Sequence, residues 1–275
     1  MRTIDLTRTC GGIALALASA AQAVLAAPSA PPGLRKVFKG REACFILYDM
    51  GSRRAAAEYG PELCSERLYA CSTFKVPLAL MAFDRGLLAD ENTRIPWDKV
   101  SRRLPGWDQD QTPRTWLARS AVWVSQGLAA RIGMARLKRY LADFRYGNQD
   151  MSGGLTQAWL GSSLKLSAHE QRVFMERFWR GRLAVSRRAV ELVKSCLVCE
   201  TSRSRAELCG KTGSAALGAW DDPAAGRLGR FVGHLQAEGR EYIVVTDFRG
   251  PPAPGSPGAE ARRLAERALA ELDLF

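Results

Sequence analysis

The sequence predicts an α+β fold in which one sheet is made from both ends of the chain and a mostly helical region is inserted between its two parts. Three observations carry this. Short apolar runs bounded by turn residues lie near 43–49 and 54–60, and again at 207–214, 229–236 and 241–248. Between those two sets the apolar residues recur at helical spacing. A last amphipathic stretch, about 258–272, follows the final strand with Leu264, Ala268, Leu269 and Leu272 on one face. Strands at both ends with helices between them point to a single sheet and a helical insertion.

The elements follow in chain order. Arg2 and Arg8 precede an apolar stretch from Gly11 to Ala21, and Ala21-Gln22-Ala23 is an A-x-A cleavage pattern. Residues 1–26 therefore read as an export signal, cut after Ala23 or Ala26. The apolar run is too short to span a bilayer, and no later run approaches the required length, so no membrane span is expected. The mature chain is expected to be exported, either periplasmic or secreted. Residues 27–275 are expected to form one unit, with the sheet region at about 40–70 and 195–275 and the helical region at about 71–194.

Residues 28–40 are Pro-rich and then basic, and read as an N-terminal arm. Gly51-Ser52 marks a hairpin turn between the first two strands. Residues 73–85 are apolar at helical spacing, and 90–115, with Pro96, Pro105, Pro113 and several Trp, read as a long loop. Leu128, Ile132, Leu137, Leu141 and Phe144 form one helical stripe over 125–144, which the glycine-rich 146–154 breaks. Ser167-x-x-Glu170 is a capping box opening a helix to about Trp179, and Ser186 caps another to about Leu197.

The formal net charge is +12, and Lys supplies only 8 of 40 basic residues. Scattered Arg without a run of five or six reads as solvated surface, which argues against nucleic acid as a partner. Cys10 would leave with the signal. Cys44 and Cys64 flank the first hairpin and could face each other across it as a disulfide. Among Cys196, Cys199 and Cys209 a second bridge is open; a metal site there lacks a fourth ligand and a nearby His, so no metal is expected. Cys71 reads as a buried free thiol.

The chemistry starts at "YACSTFKVPLALM", residues 69–81. On a helix, residues three apart share a face with their Cβ atoms about 5–6 Å apart. A serine needs a nearby base to become a nucleophile. Burial penalises a charged amine, so Lys75 in this apolar run can be neutral and take the Ser72 proton. Ser-x-x-Lys alone is weak, as is Lys211-Thr212-Gly213 at a strand edge, where Lys and Thr can bind a carboxylate and Gly213 admits a ligand to the backbone. Ser120-Ala121-Val122, Tyr146-Gly147-Asn148 and Trp159 complete an ordered series that is specific as a whole.

In that series the chain resembles the class D, oxacillinase-type serine β-lactamases from about residue 42 to its end. The resemblance is strongest in "STFKVPLALMAFD", "QTPRTWLARSAVWVSQ", "YGNQDMSGGLTQAWLGSSLKLSAHEQ" and "GKTG". It implies a β-lactamase/transpeptidase-like α+β (α/β) fold with an antiparallel central sheet flanked by helices. It implies that Ser72 attacks the β-lactam carbonyl, and that Lys75 carries a carbamate formed from carbon dioxide (N6-carboxylysine), with no other cofactor. Trp159 would donate its indole N–H to that group, and Val122 would keep the pocket apolar. Ser120 would relay a proton to the leaving nitrogen, and the backbone N–H groups of Ser72 and Ser214 would form the oxyanion hole. Lys211, Thr212, Gly213 and an arginine, Arg262 by position, would bind the substrate carboxylate. Asn148 reads as structural. The partner implied is a small β-lactam, with the protein a monomer or homodimer.

Two departures stand out. The family often has Gly-Trp-Phe-Val-Gly-Trp on the strand after Lys-Thr-Gly; here Arg230 and His234 replace both tryptophans, which is expected to change the site wall. The Pro-rich 251–257 blurs which arginine meets the carboxylate. Two other readings stay open: a penicillin-sensing receptor domain that acylates without turnover, and a penicillin-binding transpeptidase or carboxypeptidase.

Overall fold

A computed structural model describes residues 31–219, 222, 224–251 and 254–275. The expected export signal, residues 1–26, lies outside the described residues. Part of the stretch read as an arm is helical. Pro32–Val37 forms a short helix, α1, whose Leu34 is fully buried with the apolar face of the C-terminal helix.

Strand β1 (Glu42–Asp49) is buried almost throughout, as a near-continuous apolar run demands of a strand covered on both faces. Cys44 and Ile46 turn to one core and Phe45 and Leu47 to the other. The hairpin to β2 (Arg54–Tyr59) closes as expected, with Asp49 Oδ1 accepting from the Gly51 and Ser52 N–H groups at 2.7 and 3.0 Å. The Cys44–Cys64 disulfide forms, but not across the hairpin. Gly60, at φ +64°, turns the chain into a short helix, α2 (Pro61–Ser65), and Cys64 bonds from that helix down onto β1.

Strand β3 (Leu68–Tyr69) pairs with β4 (Lys165–Leu166) in a separate two-stranded ribbon. A 3-10 turn, Cys71–Phe74, then runs into α3 (Lys75–Asp84), buried from Lys75 to Phe83. Helix α4 (Pro113–Arg119) starts at a reciprocal cap between Thr112 and Thr115. The single helix expected over 125–144 is two helices, α5 (Val122–Ile132) and α6 (Met134–Phe144). Gly133, at φ +79°, ends the first and starts the second. Helix α7 (Ala168–Trp179) opens on the Ser167–Glu170 capping box and α8 (Arg187–Cys196) on Ser186, as the sequence predicts.

The chain returns through β5 (Val198–Thr201), a short strand absent from the sequence reading, to β6 (Glu207–Ala216), β7 (Arg227–Ala237) and β8 (Arg240–Gly250). Among the described residues the sheet has the order β2-β1-β8-β7-β6-β5, with every neighbouring pair antiparallel. Cys199 and Cys209 sit opposite each other in β5 and β6 and form the second disulfide; Cys71 and Cys196 are buried free thiols. The last helix, α9 (Pro257–Ala270), and α1 cover one face of the sheet. The helical region covers the other. No helix among the described residues is long and apolar enough to cross a membrane.

Candidate active site

Ser72 lies in the 3-10 turn and Lys75 opens α3, so one tight turn separates them. Lys75 Nζ is 2.9 Å from Ser72 Oγ. Lys75 is fully buried, and burial, followed by the nearby Lys211 charge, holds its pKa well below the ordinary lysine value. A neutral amine beside a serine hydroxyl can accept its proton. Cys71, at φ +53°, starts the turn; its thiol donates to Tyr69 O at 3.3 Å, and burial pushes its pKa up to about 12. It is a packing thiol, inert at neutral pH.

The second wall comes from the elbow between α4 and α5. Ser120 adopts the left-handed conformation (φ +57°), which turns its hydroxyl toward β6, and Val122 begins α5 on the cavity wall. Lys211 Nζ donates to Ser120 Oγ at 2.7 Å and to Thr212 O at 3.0 Å. Lys211 is buried, which lowers its pKa to about 7.

The third wall is β6 itself. Strand β5 pairs only with Glu207–Gly210, so from Lys211 onward β6 has β7 on one side and an open edge along the cavity. Gly213 permits this approach. A Cβ there would sit 3.0 Å from Cys71 Cβ and 3.2 Å from Thr73 Cγ2, pressing the nucleophile turn outward. The Ser214 hydroxyl is held by α9, accepting from Gly258 N–H at 2.9 Å and lying 3.2 Å from Ser256 Oγ.

These walls enclose a cavity of about 840 Å³ that collects Ser72, Ser120, Val122, Thr212, Gly213 and Ser214. Leu104, Trp107, Arg119, Leu160 and Ser256 also line it and were not singled out from the sequence. Trp107 donates its indole N–H to Arg119 O at 2.9 Å and accepts from Trp123 Nε1 at 3.1 Å, which docks the long loop onto the Ser120 elbow. The tryptophans of that loop and the place of Arg119 beside Ser120 were the available signals. Among the described residues no carboxylate lines the cavity.

Trp159 is fully buried; its ring packs 4.9 Å from Phe74, the neighbour of Lys75, and its carbonyl accepts from Cys71 N–H at 2.9 Å. Its indole N–H is buried without a hydrogen-bond partner. Asn148 is structural as expected: it ties its loop to β4 by accepting from Lys165 N–H and donating to Ser163 O.

Arg262 is not part of the site. It lies on α9 against Phe231, ion-paired to Glu266 and Glu200, away from the cavity lining. Helix α9 presents its capped end at Ser256 to the cavity and buries Arg262 against the sheet. Arg230 and His234 do not line the wall either. Both point to the helical region: His234 stacks on Trp179 at 3.9 Å, and Arg230 is fully buried behind the nucleophile turn.

Comparison with known proteins agrees with this geometry. The penicillin binding protein transpeptidase domain matches residues 12–270. The chain is 40% identical over 224 residues to beta-lactamase OXA-1 of Escherichia coli, covering 78% of each. It is 30% identical over 242 residues to the methicillin resistance mecR1 protein of Staphylococcus aureus, covering 88% of this chain and 40% of that one. Among solved structures it is similar to the class D beta-lactamase BAT-2, with a TM-score of 0.79 and 31% identity over 88% of this chain and 96% of that one. Matched in this way in sequence and in fold, the chain belongs to the class D β-lactamases of the penicillin-binding transpeptidase family.

Proposed function

We propose that this class D β-lactamase hydrolyses penicillins, including oxacillin-type compounds, through an acyl-enzyme on Ser72, with Lys75 in its N-carboxylated form. The observation that carries this is the fully buried Lys75 amine, 2.9 Å from Ser72 Oγ, whose pKa burial holds well below the ordinary lysine value, towards the neutral form. Only a neutral amine reacts with carbon dioxide. The buried Trp159 indole N–H, without a partner, offers the donor that a carbamate there would need. When present, the carbamate supplies a general base next to the serine.

The chain's own residues do the rest. Ser72 Oγ bonds to the β-lactam carbonyl carbon as its proton leaves to the base at Lys75, and the ring C–N bond breaks. Ser120, hydrogen-bonded to Lys211, delivers a proton to the departing nitrogen. Water then attacks the ester carbon as it gives a proton to the base at Lys75, and Ser72 Oγ departs and takes that proton back. The N–H groups of Ser72 and Ser214 would hold the developing oxyanion. Lys211 and Thr212 bind the substrate carboxylate on the open edge of β6, and Arg119 is the lining arginine available to assist in place of Arg262. The two disulfides suit an oxidising compartment, in keeping with export to the periplasm or medium by the leader read in residues 1–26.

The second reading is a penicillin-sensing receptor domain that acylates without turnover. Nitrocefin with purified protein separates the two. Sustained hydrolysis over many equivalents supports the hydrolase; one stoichiometric burst without turnover supports the sensor.

A further inference from the structure

We propose that the buried Arg230–Asp247 pair is a positioning device: it fixes the backbone leading into Ser72 together with that leading away from Trp159, and so sets the geometry in which Ser72 meets Lys75. The proposal rests on the function proposed above. Arg230 and Asp247 stand directly opposite each other in β7 and β8, on the sheet face that carries the helical region, and neither has any exposure. The two are joined fork to fork, Nε to Oδ1 at 2.9 Å and Nη2 to Oδ2 at 2.7 Å.

The remaining nitrogen, Nη1, reaches three backbone carbonyls: Tyr69 at 2.9 Å, Leu166 at 3.2 Å and Leu68 at 3.3 Å. These carbonyls belong to β3 and β4, a ribbon of two residues per strand, too short to hold itself. Three residues after Tyr69 comes Ser72, reached through Cys71 at positive φ. The same turn is tied to the Trp159 segment by Ala70 N–H to Leu164 O at 3.0 Å and Cys71 N–H to Trp159 O at 2.9 Å. One guanidinium therefore clamps the segments that deliver the nucleophile and the indole donor onto the rigid centre of the sheet.

Stability alone does not call for such a pair. Apolar residues of similar volume commonly replace a buried ion pair without loss, whereas they cannot hold three carbonyls in place. Arg230 thus acts through Ser72, Lys75 and Trp159 without touching substrate.

The test uses Arg230→Met with Asp247→Leu as a double variant, and Arg230→Lys, which keeps the charge and loses the fork. Three readings are taken: the melting temperature, the rate of Ser72 acylation by a fluorescent penicillin, and the labelled-bicarbonate NMR signal of the lysine carbamate. The double variant is expected to melt at or above the wild-type temperature. In both variants acylation should slow by about tenfold or more, and half-maximal carbamate signal should need about tenfold more bicarbonate, with penicillin affinity within about twofold of wild type. A folded variant with wild-type acylation and bicarbonate dependence overturns the proposal. So does a lowered melting temperature with acylation unchanged, which marks a purely structural pair. If the double variant does not fold, Arg230→Lys decides by the same readings. Wild-type protein that never acylates removes the functional reading and this proposal together; wild type that acylates without a carbamate signal removes only the carbamate, and the pair is then judged on acylation rate.

Discussion

In the proposed mechanism two buried lysines serve one substrate and need opposite charge states. Lys75 must be neutral to react with carbon dioxide, and Lys211 must be charged to hold a carboxylate. Burial lowers both, Lys211 to about 7 from an ordinary 10.5. The free enzyme should therefore lose kcat/KM for benzylpenicillin as pH rises through about 7, because Lys211 gives up its proton. Bound carboxylate favours the charged amine, so kcat should persist to higher pH than kcat/KM; parallel loss of both in a pH–rate profile would count against Lys211 as the anchor. The stability sign is fixed too. Between pH 7 and 10.5 the unfolded state binds more protons at Lys211 than the folded one, so this residue's contribution raises stability as pH rises through that window. Urea titrations of wild type and Lys211→Met at pH 6 and pH 9 check it: the pH-dependent gain should shrink in the variant. Ser72→Ala should lose about 10⁴-fold or more in kcat, and Lys75→Ala about 10²–10⁴-fold, with the Lys75 variant trapping acyl-enzyme visible by mass spectrometry. Ser72, Lys75, Ser120 and Lys211 were legible in the sequence because each sits in a short local motif. Arg119 was not, since only the docking of the 101–110 loop shows which side of the Ser120 elbow faces the cavity.

At the scale of elements, the site depends on how closely β6 and the nucleophile turn can approach. Gly213→Ala would place a methyl group 3.0 Å from Cys71 Cβ and 3.2 Å from Thr73 Cγ2. The expected result is slowed Ser72 acylation, by about tenfold or more, with the melting temperature lowered by only a few degrees. A wild-type acylation rate in that variant would show that the turn yields freely. Ser167→Ala is the contrasting case. It removes the cap of α7, leaves Arg67 and Glu170 paired at the helix start, and should cost about 1 kcal/mol in urea without changing kcat. The capping boxes and strand runs could be read from the sequence because each is decided within a few residues. The expected 125–144 helix failed at Gly133, where periodic apolar residues continue across a break that only a positive φ reveals. The disulfide pairing of Cys44 was legible and its geometry was not, because Gly60 lifts Cys64 off the hairpin into α2. Arg262 was misplaced for a related reason: the angle at which α9 meets the sheet decides which turn sees the cavity, and no local pattern encodes it.

Across the whole molecule, the sheet takes strands from both chain ends and the helical region fills the space beside it, so the cavity forms where the two meet. Its charge is one-sided. Among the described residues Arg119 lines it, Lys211 lies just behind Ser120, and no carboxylate faces in. The chain as a whole carries a formal +12. Such a field draws anionic substrates to the mouth and is weakened by salt. Raising ionic strength from about 0.01 M to 0.15 M shortens the screening length from about 30 Å to about 8 Å. The kcat/KM for benzylpenicillin should fall about threefold to tenfold across that range, while its neutral methyl ester should change little. Arg119→Ala should flatten the salt dependence for the acid and leave the ester unaffected. An equal salt response of acid and ester would place the attraction in the neutral contacts of the cavity, and the excess of arginine would then be solvated surface alone.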